Sequence, residues 1–94
     1  MIGTVRTTAH QLFRNLLSAE ETATAYAELA SIIEHSARYQ AGGPRAEIAR
    51  REHARLVELV AEMEDDADDC RDRILSAGYT PEQYEAWMTR EASK

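Results

Sequence analysis

The sequence predicts an all-α fold, an antiparallel coiled-coil-like helical hairpin followed by a short third C-terminal helix. Three observations predict this fold. Apolar residues recur at alternating steps of four and three over two long segments, both prolines stand where a helix would begin, and a short glycine-rich turn separates the two segments. With 94 residues, the chain is expected to form one helical domain over residues 1–94.

The first helix is expected at about residues 5–40. Its apolar residues form a heptad seam, meaning the line of positions that faces a partner helix in a coiled coil. The seam residues are Val5, Ala9, Leu12, Leu16, Ala19, Ala23, Tyr26, Ala30, Ile33 and Ala37. Ser18 opens the stretch SAEE, which has the spacing of a capping box, so a kink or restart at this point is the alternative.

The second and third helices are expected at about residues 44–77 and 81–92. Gly43 is a plausible N-cap with Pro44 at the first helical position, and Gly78 suits a left-handed C-cap. Thr80 and Gln83 have capping-box spacing, while Tyr79 and Tyr84 have the spacing of a hydrophobic staple. The second seam comprises Ala49, His53, Leu56, Val60, Met63, Ala67, Cys70, Ile74 and Ala77.

The two seams match each other when the helices run antiparallel. Residues whose numbers sum to 86 then face each other, so that Ile33 meets His53 and Leu12 meets Ile74. Several pairs set a small residue against a large one, which allows two helices to approach closely. A lone histidine in such a seam is expected to be a packed residue and not a metal ligand.

Some apolar residues do not fit into the seam of a two-helix hairpin. These predicted interaction residues are Leu29, Ile32 and Leu59 on one side, Val57 on the other, and Tyr84, Trp87 and Met88 on the third helix. The third helix is expected to fold back over the open end of the hairpin, onto Val5, Phe13, Leu75 or a neighbouring chain. The alternative is an exposed aromatic anchor. Dimerisation into a four-helix bundle is also expected.

Charge is distributed unevenly along the predicted hairpin. The predicted acidic interaction residues are Glu20, Glu21, Glu62, Glu64, Asp65, Asp66, Asp68, Asp69 and Asp72, with Glu20 expected across from Glu64. The predicted basic tip comprises Arg45, Arg50, Arg51 and Arg55, close to Arg38, and Glu34 is expected to pair with Arg50. Such polarity favours a basic partner or a second, antiparallel copy.

The composition argues against several functional classes. A net charge of −6 disfavours direct binding of nucleic acid or of an anionic membrane. No apolar run is long enough to span a membrane, and the first residues lack the apolar region of a signal peptide, so a cytoplasmic location is expected. Cys70 is the only cysteine and lies beside acids, which raise a thiol pKa. No catalytic, cofactor-binding or metal-binding residues are predicted.

The sequence therefore favours a small non-enzymatic protein–protein interaction module, an adapter or antagonist that occupies a surface on another protein and forms a homodimer. The alternative is an acidic mimic of nucleic acid that inhibits a DNA- or RNA-binding protein. Arginine outnumbers lysine ten to one, a bias typical of high-GC bacteria and their phages, where inhibitors of host defence are expected. A third hypothesis is a carboxylate metal site formed only on oligomerisation.

Overall fold

The computed structural model describes residues 8–36 and 40–94, and every regular element within them is an α-helix. Helix α1 spans Ala9–Glu34, α2 spans Pro44–Ser76 and α3 spans Pro81–Ala92. The predicted all-α class is confirmed. The molecule is elongated, 61 Å in its longest dimension, and its radius of gyration of 18.2 Å exceeds the ~12 Å of a compact domain of this length. The predicted residues Val5, Ala37 and Arg38 lie outside the described part of the chain.

The predicted start of the first helix at about residue 5 is wrong, because Thr8 caps the helix. The Thr8 hydroxyl accepts a hydrogen bond from the Gln11 amide at 3.2 Å, and the Gln11 side chain accepts one from the Thr8 amide at 3.0 Å. This capping box satisfies two amides that have no partner within the helix. The same helix continues unbroken through Ser18, so no restart occurs there.

The predicted end of this helix at about residue 40 is also wrong, because α1 ends at Glu34. At this end two side chains bind carbonyl oxygens of the last helical turn, in addition to the backbone amides of His35 and Ser36. His35 Nδ1 lies 2.8 Å from the Ser31 carbonyl oxygen, and the Ser36 hydroxyl donates to the Ile33 carbonyl at 2.6 Å. The hairpin is therefore shorter on the α1 side than the heptad seam predicts.

The capping predictions for α2 and α3 are confirmed. Gly43 is the N-cap of α2, with Pro44 at the first helical position. At the other end Gly78 has a φ of +91°, the Tyr79 amide donates to the Ile74 carbonyl at 3.1 Å, and the Gly78 amide donates to Leu75 at 3.0 Å. These two bonds form a Schellman motif. The predicted capping box of α3, formed by Thr80 and its third helical residue, is also present.

The core lies at the open end of the hairpin. This core cluster comprises Leu12, Phe13, Leu16, Ala19, Ala67, Ile74, Tyr84 and Trp87. The core cluster contains predicted seam partners such as Leu12 and Ile74. Closer to the turn, a carboxylate oxygen of Glu34 lies 3.7 Å from His53 Nε2. The predicted antiparallel register agrees with these contacts. Ala77 is the one seam residue in the described part of the chain that is exposed.

Helix α3 folds back over this open end, as the sequence predicts. The Phe13 ring centroid lies 5.5 Å from that of Tyr79, 5.6 Å from Tyr84 and 5.7 Å from Trp87. Tyr84 and Trp87 are only 7% and 6% exposed. Because both rings are buried within the chain, the alternative of an exposed aromatic anchor is wrong for these two residues.

Candidate interaction surfaces

The face of the hairpin near its turn exposes several large apolar side chains. Leu29 is 48% exposed, Ile32 66% and Ile48 56%, while Leu59 is half-buried. Ile32 and Ile48 come from different helices and line one groove of about 350 Å³. Leu29 lies one helical turn before Ile32, and Leu59 lies three turns after Ile48, so all four belong to one flank. These four residues form the tip patch.

Ile48 was not predicted as part of this surface. It directly precedes the seam residue Ala49, and apolar neighbours of a seam are ordinarily half-covered by the partner helix. Here α1 ends at Glu34, and Ile48 remains 56% exposed. Ile48 follows Arg45 by three residues and precedes Glu52 by four, and residues at this spacing share one side of a helix. This spacing was the signal that could have placed Ile48 on this flank.

Val57 lies on the opposite flank and is 50% exposed. It stands at heptad spacing from Glu64 and Arg71, which line a shared groove with Glu20. Farther along this flank, Leu75 and the half-buried Met88 line another groove, of about 310 Å³. Val57 is therefore separate from the tip patch, and of the predicted residues on the third helix only Met88 reaches a groove while keeping partial exposure.

Glu20 links the three helices at the open end. One of its carboxylate oxygens accepts a hydrogen bond from the Tyr84 hydroxyl at 2.5 Å, and the other accepts from Arg71 at 3.0 Å. Burial and the Glu20 hydrogen bond raise the pKa of the Tyr84 hydroxyl well above its ordinary value of 10. Glu20 and Glu64 do line one groove, as the register predicts, but Arg71 also lies there and offsets their repulsion. Glu20 is thus engaged within the chain.

The acidic run, residues 62–72, remains at the surface. Its seven carboxylate residues are all exposed, namely Glu62, Glu64, Asp65, Asp66, Asp68, Asp69 and Asp72. Met63, Ala67 and Cys70 face α1, and four of the carboxylate residues line the grooves beside them, Asp66 and Asp69 on one flank and Glu64 and Asp68 on the other. Asp68 pairs with Arg71 at 2.7 Å. The run extends about 15 Å along the helix axis, which gives roughly one carboxylate per 2 Å.

The predicted basic tip is exposed but partly neutralised. Arg51 binds Glu47 at 3.1 Å, and Arg55 binds Glu58 at 3.2 Å. The predicted pair of Glu34 with Arg50 is wrong, because Glu34 approaches His53 instead. Arg45 and Arg50 are exposed and have no ion-pair partner within residues 8–36 and 40–94.

Cys70 and His53 are seam residues that keep partial exposure. Burial, with a smaller contribution from Asp66 and Asp69, raises the pKa of the Cys70 thiol. That direction agrees with the prediction and disfavours the reactive thiolate at neutral pH. His53 Nε2 lies 3.7 Å from a carboxylate oxygen of Glu34.

No protein-family model, curated protein or solved structure matches the chain. Within residues 8–36 and 40–94, no three His, Cys, Asp or Glu side chains are grouped closely enough to hold a metal ion. In the same part of the chain, every helix is too short or too polar to cross a lipid bilayer.

Proposed function

We propose that this chain is a small non-enzymatic protein–protein interaction module, an adapter or antagonist whose tip patch occupies a surface on another protein in the cytoplasm. The supporting observation is the exposure of Leu29, Ile32 and Ile48 on one flank. At the open end of the same molecule, by contrast, the large aromatic side chains of the core cluster are buried. Clustered exposed apolar residues with a polar rim are typical of protein–protein contact sites.

Burial of the apolar side chains of the tip patch is not sufficient for strong binding, so polar contacts around it must also contribute. Completing the burial of three half-exposed aliphatic side chains contributes roughly 2–5 kcal/mol, at about 1.5–3 kcal/mol for each full side chain. Association costs an estimated 4–15 kcal/mol. Arg45 and Glu52 line the same groove as Ile32 and Ile48, so they are placed to add charge complementarity at the rim.

A site-specific crosslink tests this proposal. A photoreactive amino acid at Ile48 is expected to give a discrete adduct with one protein other than this chain, in cells that naturally make it, because that position lies in the tip patch. The matched control carries the same group at Val57, which is similarly exposed on the other flank. Ile32→Glu should remove the Ile48 adduct. Equal adducts from both positions, or an adduct that survives Ile32→Glu, would contradict the proposal.

A second candidate function is inhibition of a DNA- or RNA-binding protein by the acidic run. The supporting observation is its charge density, because duplex DNA carries one charge per about 1.7 Å of axis and the run, with Arg71 subtracted from its seven carboxylates, carries one net negative charge per roughly 2.5 Å. All seven carboxylates are exposed, so they are accessible to a basic groove. An inhibitor of this kind fits the phage or bacterial setting expected from the arginine-rich composition.

Charge neutralisation distinguishes the two candidates. Replacing Asp65, Asp66, Asp68 and Asp69 with Asn is expected to abolish displacement of a nucleic acid from a DNA- or RNA-binding protein that the wild-type chain captures. The control variant loses the same charge at four exposed glutamates outside the run. They are Glu28, Glu58, Glu82 and Glu85, each changed to Gln. Circular dichroism would verify that both variants stay helical. Undiminished displacement by the four-Asn variant would refute the mimic.

A further inference from the structure

Helix α2 carries a self-complementary pattern along the flank that holds the tip patch. At steps of three and four, this flank presents in order Arg45, Ile48, Glu52, Arg55, Leu59 and Glu62. The groove shared by Arg45, Ile48, Glu52 and Ile32 shows that the first half of the stripe and α1 form one face. Five of the six side chains are exposed, and Leu59 is half-buried. The stripe is therefore available for contact.

The order of charges reverses about the middle of the stripe. When a second α2 lies antiparallel, residues whose numbers sum to 107 stand opposite each other. Arg45 then faces Glu62, Ile48 faces Leu59, and Glu52 faces Arg55. A two-fold axis repeats each pair, so every charge meets its opposite and every apolar residue meets an apolar one. Isologous contacts require this kind of self-complementarity.

We propose that the tip patch binds a second copy of this chain, with the two α2 helices antiparallel and the two-fold axis between Glu52 and Arg55. This inference goes beyond the proposed function, because a second copy would cover the tip patch and compete with the other protein for the same surface. Helix α1 supports it, because the seam register puts Ile32 level with the axis. The most exposed apolar residue of the patch, Ile32 at 66%, would thus meet its own copy.

The area of the shared face is small for a stable dimer. The stripe is about 26 Å long at 1.5 Å per residue, and two helices are about 20 Å wide, so each copy contributes roughly 500 Å². The total of about 1,000 Å² lies at the lower limit for specific interfaces. The structure therefore points to a concentration-dependent dimer. In it, the acidic run from Asp65 onward extends beyond the overlap at both ends.

Charge reversal with rescue tests the register. Arg45→Glu would place like charges opposite each other twice per dimer, and it is expected to raise the dimer dissociation constant by about tenfold or more. The double variant Arg45→Glu with Glu62→Arg should restore the wild-type value in sedimentation velocity over a concentration series. Arg50→Glu, an exposed arginine outside the stripe, is the matched control and should change little. A double variant as weak as the single variant would overturn this register.

A disulfide test examines the axis directly in purified protein. In a Cys70→Ser background, Ile32→Cys is expected to form an intermolecular disulfide rapidly under mild oxidation, and Val57→Cys on the other flank should not. Equal rates for the two cysteines, or a wild-type chain that sediments as a monomer at about 1 mM, would overturn the dimer. Neither test involves another protein. A crosslink from Ile48 to a different protein would support the proposed function, whereas a crosslink only to a second copy of this chain would support the dimer and contradict the proposed function.

Discussion

The Tyr84 hydroxyl donates a 2.5 Å hydrogen bond to Glu20, a residue 64 positions earlier in the chain. The same carboxylate binds Arg71 on α2, so one side chain of α1 holds both other helices. The Tyr84 ring itself belongs to the core cluster. This arrangement orients α3 by a polar contact at the edge of an apolar interface, and it makes stability dependent on the protonation of Tyr84.

Alkaline pH is expected to destabilise the fold through Tyr84. Burial and Glu20 raise the folded-state pKa of Tyr84 above its ordinary value of 10, so the folded chain retains the proton more strongly than the unfolded chain. This contribution to stability is fully present below pH 10 and is lost as the pH rises toward the folded-state pKa. Tyr84→Phe should flatten the decline above pH 10 in urea titrations. An identical decline in the two proteins would contradict this assignment.

Two glutamates that line one groove are expected to differ in their contribution to stability. Glu20→Gln weakens the contact with Arg71 and should lower the free energy of unfolding by about 0.5–1 kcal/mol, since the pair is partly exposed. Glu64→Gln is the matched control. Glu64 is exposed and has no hydrogen bond or ion pair within the described residues, so its loss should be neutral or slightly stabilising. Equal effects in denaturant unfolding would refute the distinction.

The indole of Trp87 is expected to couple energetically to His10. Its N–H donates to His10 Nδ1 at 3.1 Å, and the two rings meet edge to face at 5.5 Å. A double-mutant cycle with Trp87→Phe and His10→Ala should give a coupling free energy of about 0.5–1.5 kcal/mol. The control cycle combines Trp87→Phe with His35→Ala, because His35 is exposed and remote from Trp87. The effects of these two substitutions on the free energy of unfolding are expected to be additive. Coupling of the same size in both cycles would exclude a specific contact.

The glycine that ends α2 is expected to tolerate asparagine better than alanine. Gly78 has a φ of +91°, and a Cβ atom added there would meet no other atom within 4 Å. The cost of Gly78→Ala is therefore the strained backbone alone, about 1–2 kcal/mol. Gly78→Asn should cost less, because Asn adopts the left-handed conformation more readily. Thermal unfolding that ranks Asn below Ala would contradict this explanation.

Local signals in the sequence account for most of the fold. The caps at Gly43, Gly78 and Thr80 depend on residues three or four positions apart, so they are visible without any tertiary information. The seam likewise follows from heptad spacing, which also gives the antiparallel register. The capping box from Thr8 to Gln11 was equally visible, but the continuous apolar pattern before it favoured a longer helix.

The remaining features depend on the position of α3, which heptad spacing does not determine. Glu20 was predicted to belong to an acidic surface because the heptad register gives only its neighbours on α1 and α2. Its partner Tyr84 comes from the third helix. Trp87 and His10 meet for the same reason. The end of α1 at Glu34 was also missed, although the side chains of His35 and Ser36 bind carbonyl oxygens of its last turn.

The confinement of α3 to one end of the hairpin divides the molecule into two regions of unequal local stability. The aromatic core cluster supports residues 12–19 and 67–87, whereas the buried residues near the turn, among those that the structure describes, are Ala30, Ala46 and Ala49, which have small side chains. Regions with few buried apolar contacts open most readily. Amide hydrogens near the turn should therefore exchange with solvent well before those under α3, and docking at the tip patch would slow that exchange.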